Sequence, residues 1–296
     1  MHHVAMCSAI GPRDQLEDAV FGVTAQGGLP HGSACSLLGV FDGVGGEFGG
    51  DVASNLASHV LRRSLSPALT ALATQTSDED LAPDVVMASI WDAIICANDQ
   101  ILVRRSAESS LARMATTAVA GIVCSRLLHL AWAGDSRCYR WRDGVLECLT
   151  SDHTELEPYI QEGALTREEA KLHPSAHVIT NYLGKPDFMP ETRIVQLAPG
   201  DVLILCTDGV TDVLDFEDLA DEVTLARQGR ESLRDLPKHV VGRALRAGTQ
   251  DNATCLCCAI AELVALPGHI NRTITHGYHL TSLVRSQALT RKGALL

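Results

Sequence analysis

The stretch Ser36-Leu37-Leu38-Gly39-Val40-Phe41-Asp42-Gly43-Val44-Gly45-Gly46 runs an apolar segment straight into a carboxylate and a glycine-opened loop. A short apolar run bounded by turn residues reads as a buried strand. Asp42 then sits at the strand mouth, behind which the backbone is too slight to obstruct it. A lone Asp-Gly is ordinarily a turn. Here it recurs at Asp208-Gly209, behind Val202-Leu203-Ile204-Leu205-Cys206. Two strands that each deliver an acid into an open loop point to one shared metal site.

Further apolar runs predict strands near 19–24, 117–124, 127–133, 136–142, 145–149, 191–197 and 253–261, beside 36–41 and 201–206. Arg142-Asp143-Gly144-Val145 reads as a two-residue hairpin turn, so its Asp-Gly is structural. Helical patterns cover 50–63, 84–105, 155–172 and 231–246. In the second, Val86, Ile90, Ile94 and Ile101 share one face and Asp92 and Asp99 the other. Segment 64–83 reads as a connecting loop. Hairpin-clustered strands with grouped helices favour an α+β layered fold over a doubly wound parallel sheet.

More acids gather at strand ends. Arg13-Asp14-Gln15-Leu16-Glu17-Asp18 precedes the run at 19, and Gln250-Asp251-Asn252 the last strand. Gly134-Asp135-Ser136-Arg137 falls between two strands, and Asp212 follows Asp208 by one helical turn. Singly, each such acid is most often a turn or cap residue. Converging carboxylates cannot all stay ionised without cations, because like charges raise one another's pKa. Oxygen ligands with no His in these motifs select Mg2+ or Mn2+ over zinc. Paired ions of that kind, about 3.5–4 Å apart, activate water for attack on phosphorus. Arg13 offers a planar fork for phosphate oxygens, although a surface pairing with a neighbouring Asp is its simpler use.

Composition narrows the setting. The 296 residues carry a formal net charge of −12, with four Lys and twenty Arg. Such a balance disfavours non-specific binding to nucleic acid or anionic membrane. The ten Cys show no regular framework, so free thiols and a reducing cytoplasm are expected. Neither a signal-peptide core nor a membrane-spanning run is read in the sequence. From 263 to 296 Asp and Glu vanish while Arg272, Arg285, Arg291 and Lys292 remain; a flexible basic tail is expected there, beyond a catalytic domain at 1–262.

The ordered series of motifs resembles the metal-dependent protein phosphatases of the protein phosphatase 2C type, bacterial branch. It runs from Arg13-x-x-x-Glu17-Asp18 through Phe41-Asp42-Gly43-x-Gly45-Gly46, Thr116-Thr117, Gly134-Asp135-Ser136-Arg137 and Leu149-Thr150-x-Asp152-His153. It continues with Leu197-x-Pro199-Gly200-Asp201, Thr207-Asp208-Gly209-x-Thr211-Asp212 and Asp251-Asn252-Ala253-Thr254, covering nearly all of 4–262. The resemblance implies two packed antiparallel β-sheets flanked by helices, a four-layer sandwich. It implies that Asp42 bridges two Mn2+ or Mg2+ ions, with Glu17 and the Gly43 carbonyl on one and Asp208 and Asp251 on the other. Asp18 would orient water, Arg13 would hold the substrate phosphate, and Asp135 and Asp212, with Asp208, would hold a weaker third ion. Segment 155–190 would be a flap.

The resemblance also implies phosphoserine/phosphothreonine proteins as substrates, with a eukaryotic-like Ser/Thr kinase as a counterpart; a monomer is expected. Leu16, Ala115 and Val44 depart from the family's usual residues, and Val44 leaves its loop without a proton donor. No proposed ligand is lost, which disfavours a catalytically silent regulatory module. A two-metal phosphodiesterase is the enzymatic rival, and the acidic balance argues against it. Cys7 and Arg13 stand at the Cys-x5-Arg spacing of cysteine phosphatases, but Pro12 removes an N–H from any phosphate cradle there.

Overall fold

Strands whose apolar runs lack polar alternation are the ones that must be covered on both faces. In the computed structural model the described residues are 2–26, 34–44, 49–74, 83–124, 126–230 and 232–261. They fall in the first of two units, Met1–Glu262 and Leu263–Leu296, so the expected tail lies outside the described residues.

One antiparallel sheet has the order β1 (His2–Ala9), β12 (Ala253–Ile260), β11 (Val202–Cys206), β8 (Arg137–Arg142), β9 (Val145–Cys148). The other has the order β10 (Glu191–Gln196), β7 (Leu127–Ala133), β6 (Ala118–Cys124), β3 (Ala34–Phe41), β2 (Ala19–Gln26). A two-stranded ribbon joins β4 (Gly43–Val44) to β5 (Ala115–Thr116).

Alternate residues of the central strands serve two cores. Leu38 and Val40 of β3 meet Leu203, Leu205, Leu256 and Cys258 between the sheets. Leu37 and Phe41 point the other way, into a core shared with α1 (Gly50–Thr74) and α2 (Pro83–Ala107). Cys206, Cys255 and Cys257 face α6 (Phe216–Arg227) and α7 (Leu236–Ala247). The layers are helix, sheet, sheet, helix, as the resemblance implies. Asp143, at φ 49, and Gly144 close the β8–β9 hairpin between Arg142 and Val145, the predicted two-residue turn.

Several local readings are corrected. The stretch from 64 onward is not a loop at once: α1 continues to Thr74 across Pro67, because Leu65, Leu69 and Leu72 extend its buried face. The hydroxyls of Ser66 and Thr70 donate to the carbonyls four residues back. The 155–172 pattern is two short helices, α3 (Glu157–Gln161) and α4 (Arg167–Lys171). Gly163, in the left-handed region at φ 73, breaks the first, and a Thr166–Glu169 capping box starts the second. The last helix begins at Leu236 rather than 231. Cys7 lies in strand β1, as expected of it, whereas helix α6 escaped the sequence reading, although Asp215 and Asp218 form a capping box at its start.

Two composition readings also change. Cys35 and Cys124 stand opposite each other in the β3–β6 register and form a disulfide, so the thiols are not all free. Helix α2 is, by length and composition, apolar enough to cross a membrane. Its Val86, Ile90, Ile94 and Ile101 are nonetheless buried in the helix-side core, with Asp92 and Asp99 exposed opposite, as expected.

Leu256 is fully buried between the sheets. Truncation to Ala leaves a cavity there, and Leu256→Ala is expected to lower unfolding free energy by about 2–5 kcal/mol. Urea denaturation measures it; a loss under about 1 kcal/mol would contradict the shared inter-sheet core.

Candidate metal centre

The acids are delivered by elements of both sheets. Asp18 immediately precedes β2, Asp42 lies between β3 and β4, and Asp135 occupies the turn from β7 to β8. Asp208 opens α5 (Asp208–Thr211) one residue beyond β11, and Asp251 precedes β12.

Neutral side chains hold them in place. Thr117 Oγ1 accepts from the Asp42 N–H at 3.0 Å, while the Asp42 carbonyl accepts from the Thr117 N–H and the Thr116 hydroxyl, each at 2.8 Å. The Thr207 hydroxyl donates to Asp18 Oδ2 at 3.0 Å and accepts from the Thr254 N–H at 3.1 Å. Buried Asn252 accepts from the Glu17 N–H at 2.6 Å and donates to the carbonyls of Ile10 and Gln15. Thus the loop carrying Arg13, Glu17 and Asp18 is clamped against the start of β12. In the sequence these Thr and Asn residues carry no signal of this role beyond their adjacency to the acids.

Asp208 is the electrostatic hub. Burial first, then Asp208, raises the carboxyl of Asp42 well above its ordinary value. The same two causes raise Asp135 well above it, push Asp212 up to about 6 and raise Asp251. Burial pushes Asp18 up to about 7; hydrogen bonds from Thr254 and Thr207 oppose the shift, and Asp208 and Asp251 add to it. The predicted acids Asp18, Asp42, Asp135, Asp208, Asp212 and Asp251 therefore do converge.

The donors fit divalent cations. Asp18 Oδ1, Asp135 Oδ1 and Asp208 Oδ1 are buried with no hydrogen-bond partner among the described residues. Buried polar atoms are ordinarily satisfied, so three orphan carboxylate oxygens in one cluster fit ligands to hard cations or their waters. Glu17 and Gly43 meet at the same centre. A Cβ added to Gly50 would lie 2.8 Å from the Gly43 carbonyl oxygen and 3.0 Å from Glu17 Oε1. A side chain at position 50 would crowd both oxygens. Arg13 sits at the rim, its Nη2 2.6 Å from Asp251 Oδ2 and its Nε donating to the Gln250 carbonyl. Its simpler use as a partner for a nearby Asp is therefore realised, and that Asp belongs to the cluster. Val44 pairs with Ala115 across the small ribbon.

Beside the cluster lies a cavity of about 240 Å3 whose lining includes Asp135, Asp208 and Asp212 on one side and Arg167, Lys171 and His177 on the other. The latter three come from the segment 155–190. That segment is tied down by the Thr154–Ile179 and Thr116–Leu183 bridges, and by Lys171 Nζ donating to the Thr211 carbonyl at 3.1 Å. Below it, Arg137 makes a two-pronged ion pair with Asp152 at 2.8 and 2.6 Å.

The sequence matches the family model described as protein phosphatase 2C over residues 17–247. The chain belongs to the protein phosphatase 2C family. It is 30% identical over 226 residues to the serine/threonine protein phosphatase PstP of Mycobacterium tuberculosis, covering 76% of this chain and 40% of that protein. It is 28% identical over 218 residues to the serine/threonine phosphatase stp of Listeria welshimeri, covering 73% of this chain and 81% of that protein. A solved catalytic domain of PstP in complex with two manganese ions superposes with a TM-score of 0.71 at 27% identity. That match covers 88% of this chain and 99% of the solved one. This phosphatase 2C chain thus spans less than half of PstP and most of the Listeria relative.

The raised carboxyls set a pH dependence. Folded Asp18, at about 7, and Asp212, at about 6, keep protons that the unfolded chain, at 3.8, has released. Stability from these groups is therefore complete below about pH 4 and is lost as pH rises through about 6 to 7. Thermal melting in EDTA should fall over that interval, and saturating Mn2+ should remove most of the fall. A melting temperature that stays level in EDTA would count against the convergence of charges.

Proposed function

We propose that this chain is a Mn2+- or Mg2+-dependent protein serine/threonine phosphatase. The observation that carries the reading is the convergence of five acids on Asp208 with three orphan carboxylate oxygens, in a member of the phosphatase 2C family. Manganese in the PstP catalytic domain supports the choice of ion.

Asp42, Asp208 and Asp251 would hold the ions together with Glu17 and the Gly43 carbonyl, and Asp135 and Asp212 would hold a weaker third. When bound, such a pair supplies a nucleophilic water near neutral pH and positive charge for the phosphoryl oxygens. The protein's part is positioning. Asp18 is fixed through Oδ2 by Thr207, and its Oδ1 would accept a hydrogen bond from the attacking water and so orient it. Arg13, half exposed at the rim, can turn its fork from Asp251 to two phosphoryl oxygens as the phosphate settles. Charge spread over those oxygens in the transition state is what both the cations and Arg13 oppose. Val44 has no proton to give, so the departing Ser or Thr oxygen takes its proton from water.

Phosphorylated proteins, including a eukaryotic-like Ser/Thr kinase and its targets, complete the reading, with a monomer working in the cytoplasm and signalling by dephosphorylation. Eight free cysteines beside the one disulfide support a reducing compartment.

Asp208→Asn should reduce turnover of a phosphothreonine peptide to background, with melting in EDTA unchanged or raised because the hub charge is gone. EDTA should silence the wild type and Mn2+ restore it; activity that survives EDTA, or wild-type turnover by the variant at saturating Mn2+, rules the reading out.

Removing Arg13 deletes a charge-assisted grip on phosphate. Arg13→Ala should raise KM for the phosphopeptide by about ten- to a hundredfold, with a smaller change in kcat. An unchanged KM assigns Arg13 to holding Asp251 alone.

A further inference from the structure

The cysteines follow no spacing rule in the sequence, yet strand register sets several of them side by side. Cys7 of β1 stands opposite Cys255 of β12, and Cys255 stands opposite Cys206 of β11. All three belong to the face packed under α6 and α7. Cys257, two residues further along β12 and on the same face, brings its Sγ to 3.8 Å from Cys255 Sγ. The metal centre uses none of these thiols.

We propose that Cys255 and Cys257, joined by Cys7, form a binding site for a soft monovalent metal ion of the Cu+ kind. Thiolate–metal bonds are about 2.3 Å long, so two sulfurs 3.8 Å apart can share one ion without movement of the backbone. An all-sulfur donor set selects soft ions and leaves Mn2+ and Mg2+ to the carboxylates. Cys206 and Cys7 flank Cys255 on opposite sides, about two strand spacings or 10 Å from each other, so they do not serve the same ion. That leaves three sulfurs, which suits Cu+ better than tetrahedral Zn2+. Entry is from the edge: β1 ends its sheet and Cys7 is partly exposed, whereas Cys255 and Cys257 are buried. On binding, the ion takes the place of the thiol protons, which leave to solvent. Lys238 of α7 lies near Cys7 and favours its thiolate, against burial and Cys255.

The site adjoins the clamp on Asp18. Ser8, Thr254 and Thr207 each follow or precede one of the paired cysteines by one residue. The Thr254 hydroxyl donates to Ser8 Oγ at 2.9 Å, its N–H donates to Thr207 Oγ1 at 3.1 Å, and the Thr207 hydroxyl holds Asp18 Oδ2. An ion that draws Cys7 and Cys255 together shifts Ser8 and Thr254 and, through Thr207, Asp18. Cu+ would therefore slow turnover without entering the carboxylate cluster. This consequence rests on the reading of Asp18 as the group that orients water; the binding itself does not.

Cu+ is supplied anaerobically as its bicinchoninate complex to the full chain kept in Mn2+, and withdrawal of the ion is read from the loss of the complex's colour. Wild type should withdraw Cu+, and X-ray absorption should show a shell of sulfur alone. Cys257→Ala and Cys7→Ser should each weaken binding by at least about tenfold. Cys96→Ser, at an exposed thiol on α2, should match wild type. No withdrawal by wild type, a shell of oxygen or nitrogen, or unchanged affinity in both Cys257→Ala and Cys7→Ser overturns the proposal. Mn2+-dependent turnover of a phosphothreonine peptide is scored separately. It should fall as wild type fills with Cu+ and hold in Cys257→Ala at the same Cu+ level. Turnover that survives filling overturns the link to Asp18, and turnover absent before Cu+ is added tells against the phosphatase reading while the colour assay still decides the site.

Discussion

Like charges forced together around Asp208 are the constraint on which the rest of this structure depends. Asp42, Asp135, Asp212, Asp251 and Asp18 all feel it, and each is held in its less favourable ionised form only at a cost. Desolvation and repulsion act in the same direction there, so the metal-free fold tolerates the cluster only by keeping protons on it. The two sheets supply the compensation. Their shared apolar core and the two helix-covered outer cores are large enough to carry a locally unfavourable corner. Divalent cations would then convert a destabilising concentration of charge into a binding site.

The framework that aims the acids is uncharged. Thr116, Thr117, Thr207, Thr254 and Asn252 bond to backbone atoms or to a carboxylate without adding charge. A Lys or Arg in those places would neutralise the cluster permanently and compete with cations for its oxygens. The nearby cations have partners of their own. Arg137 is spent on Asp152, Arg167 on Glu157, and Lys171 on the end of α5. Arg13 borders the cluster through its ion pair with Asp251, on the solvent side where a phosphate would arrive. This segregation explains why so acidic a corner coexists with several nearby basic side chains.

How much of this was legible in the sequence varies with the range of the interaction involved. Apolar runs gave β3, β6, β11 and β12 because burial on both faces leaves no polar residues to interrupt them. The β8–β9 hairpin was legible because its turn needs only two residues with unusual backbone angles. The flap helices were misjudged because a 3.6-residue apolar rhythm persists across Gly163, where the chain turns left-handed. The extension of α1 past Pro67 was missed because the proline's local cost is outweighed by Leu65, Leu69 and Leu72, whose core partners are remote in sequence. The extent of strand β1 around Cys7 was not legible because its partly exposed residues make a weak pattern that pairing with β12 completes. Likewise no spacing rule links Cys35 to Cys124; strand register does.

The sequence by itself determined the identities of the acids, their placement at strand ends and, through their order, the family to which they belong. Those are consequences of local chemistry: short apolar runs stop where a carboxylate and a glycine begin. Only the tertiary structure decided that Asp208 is the hub, that Gly50 leaves room for Glu17 and Gly43 together, that Arg13 rests on Asp251, and that Cys7 stands beside Cys255. Each of these joins residues separated by tens or hundreds of positions. Their energies arise from distance and desolvation, which exist only once the two sheets have packed.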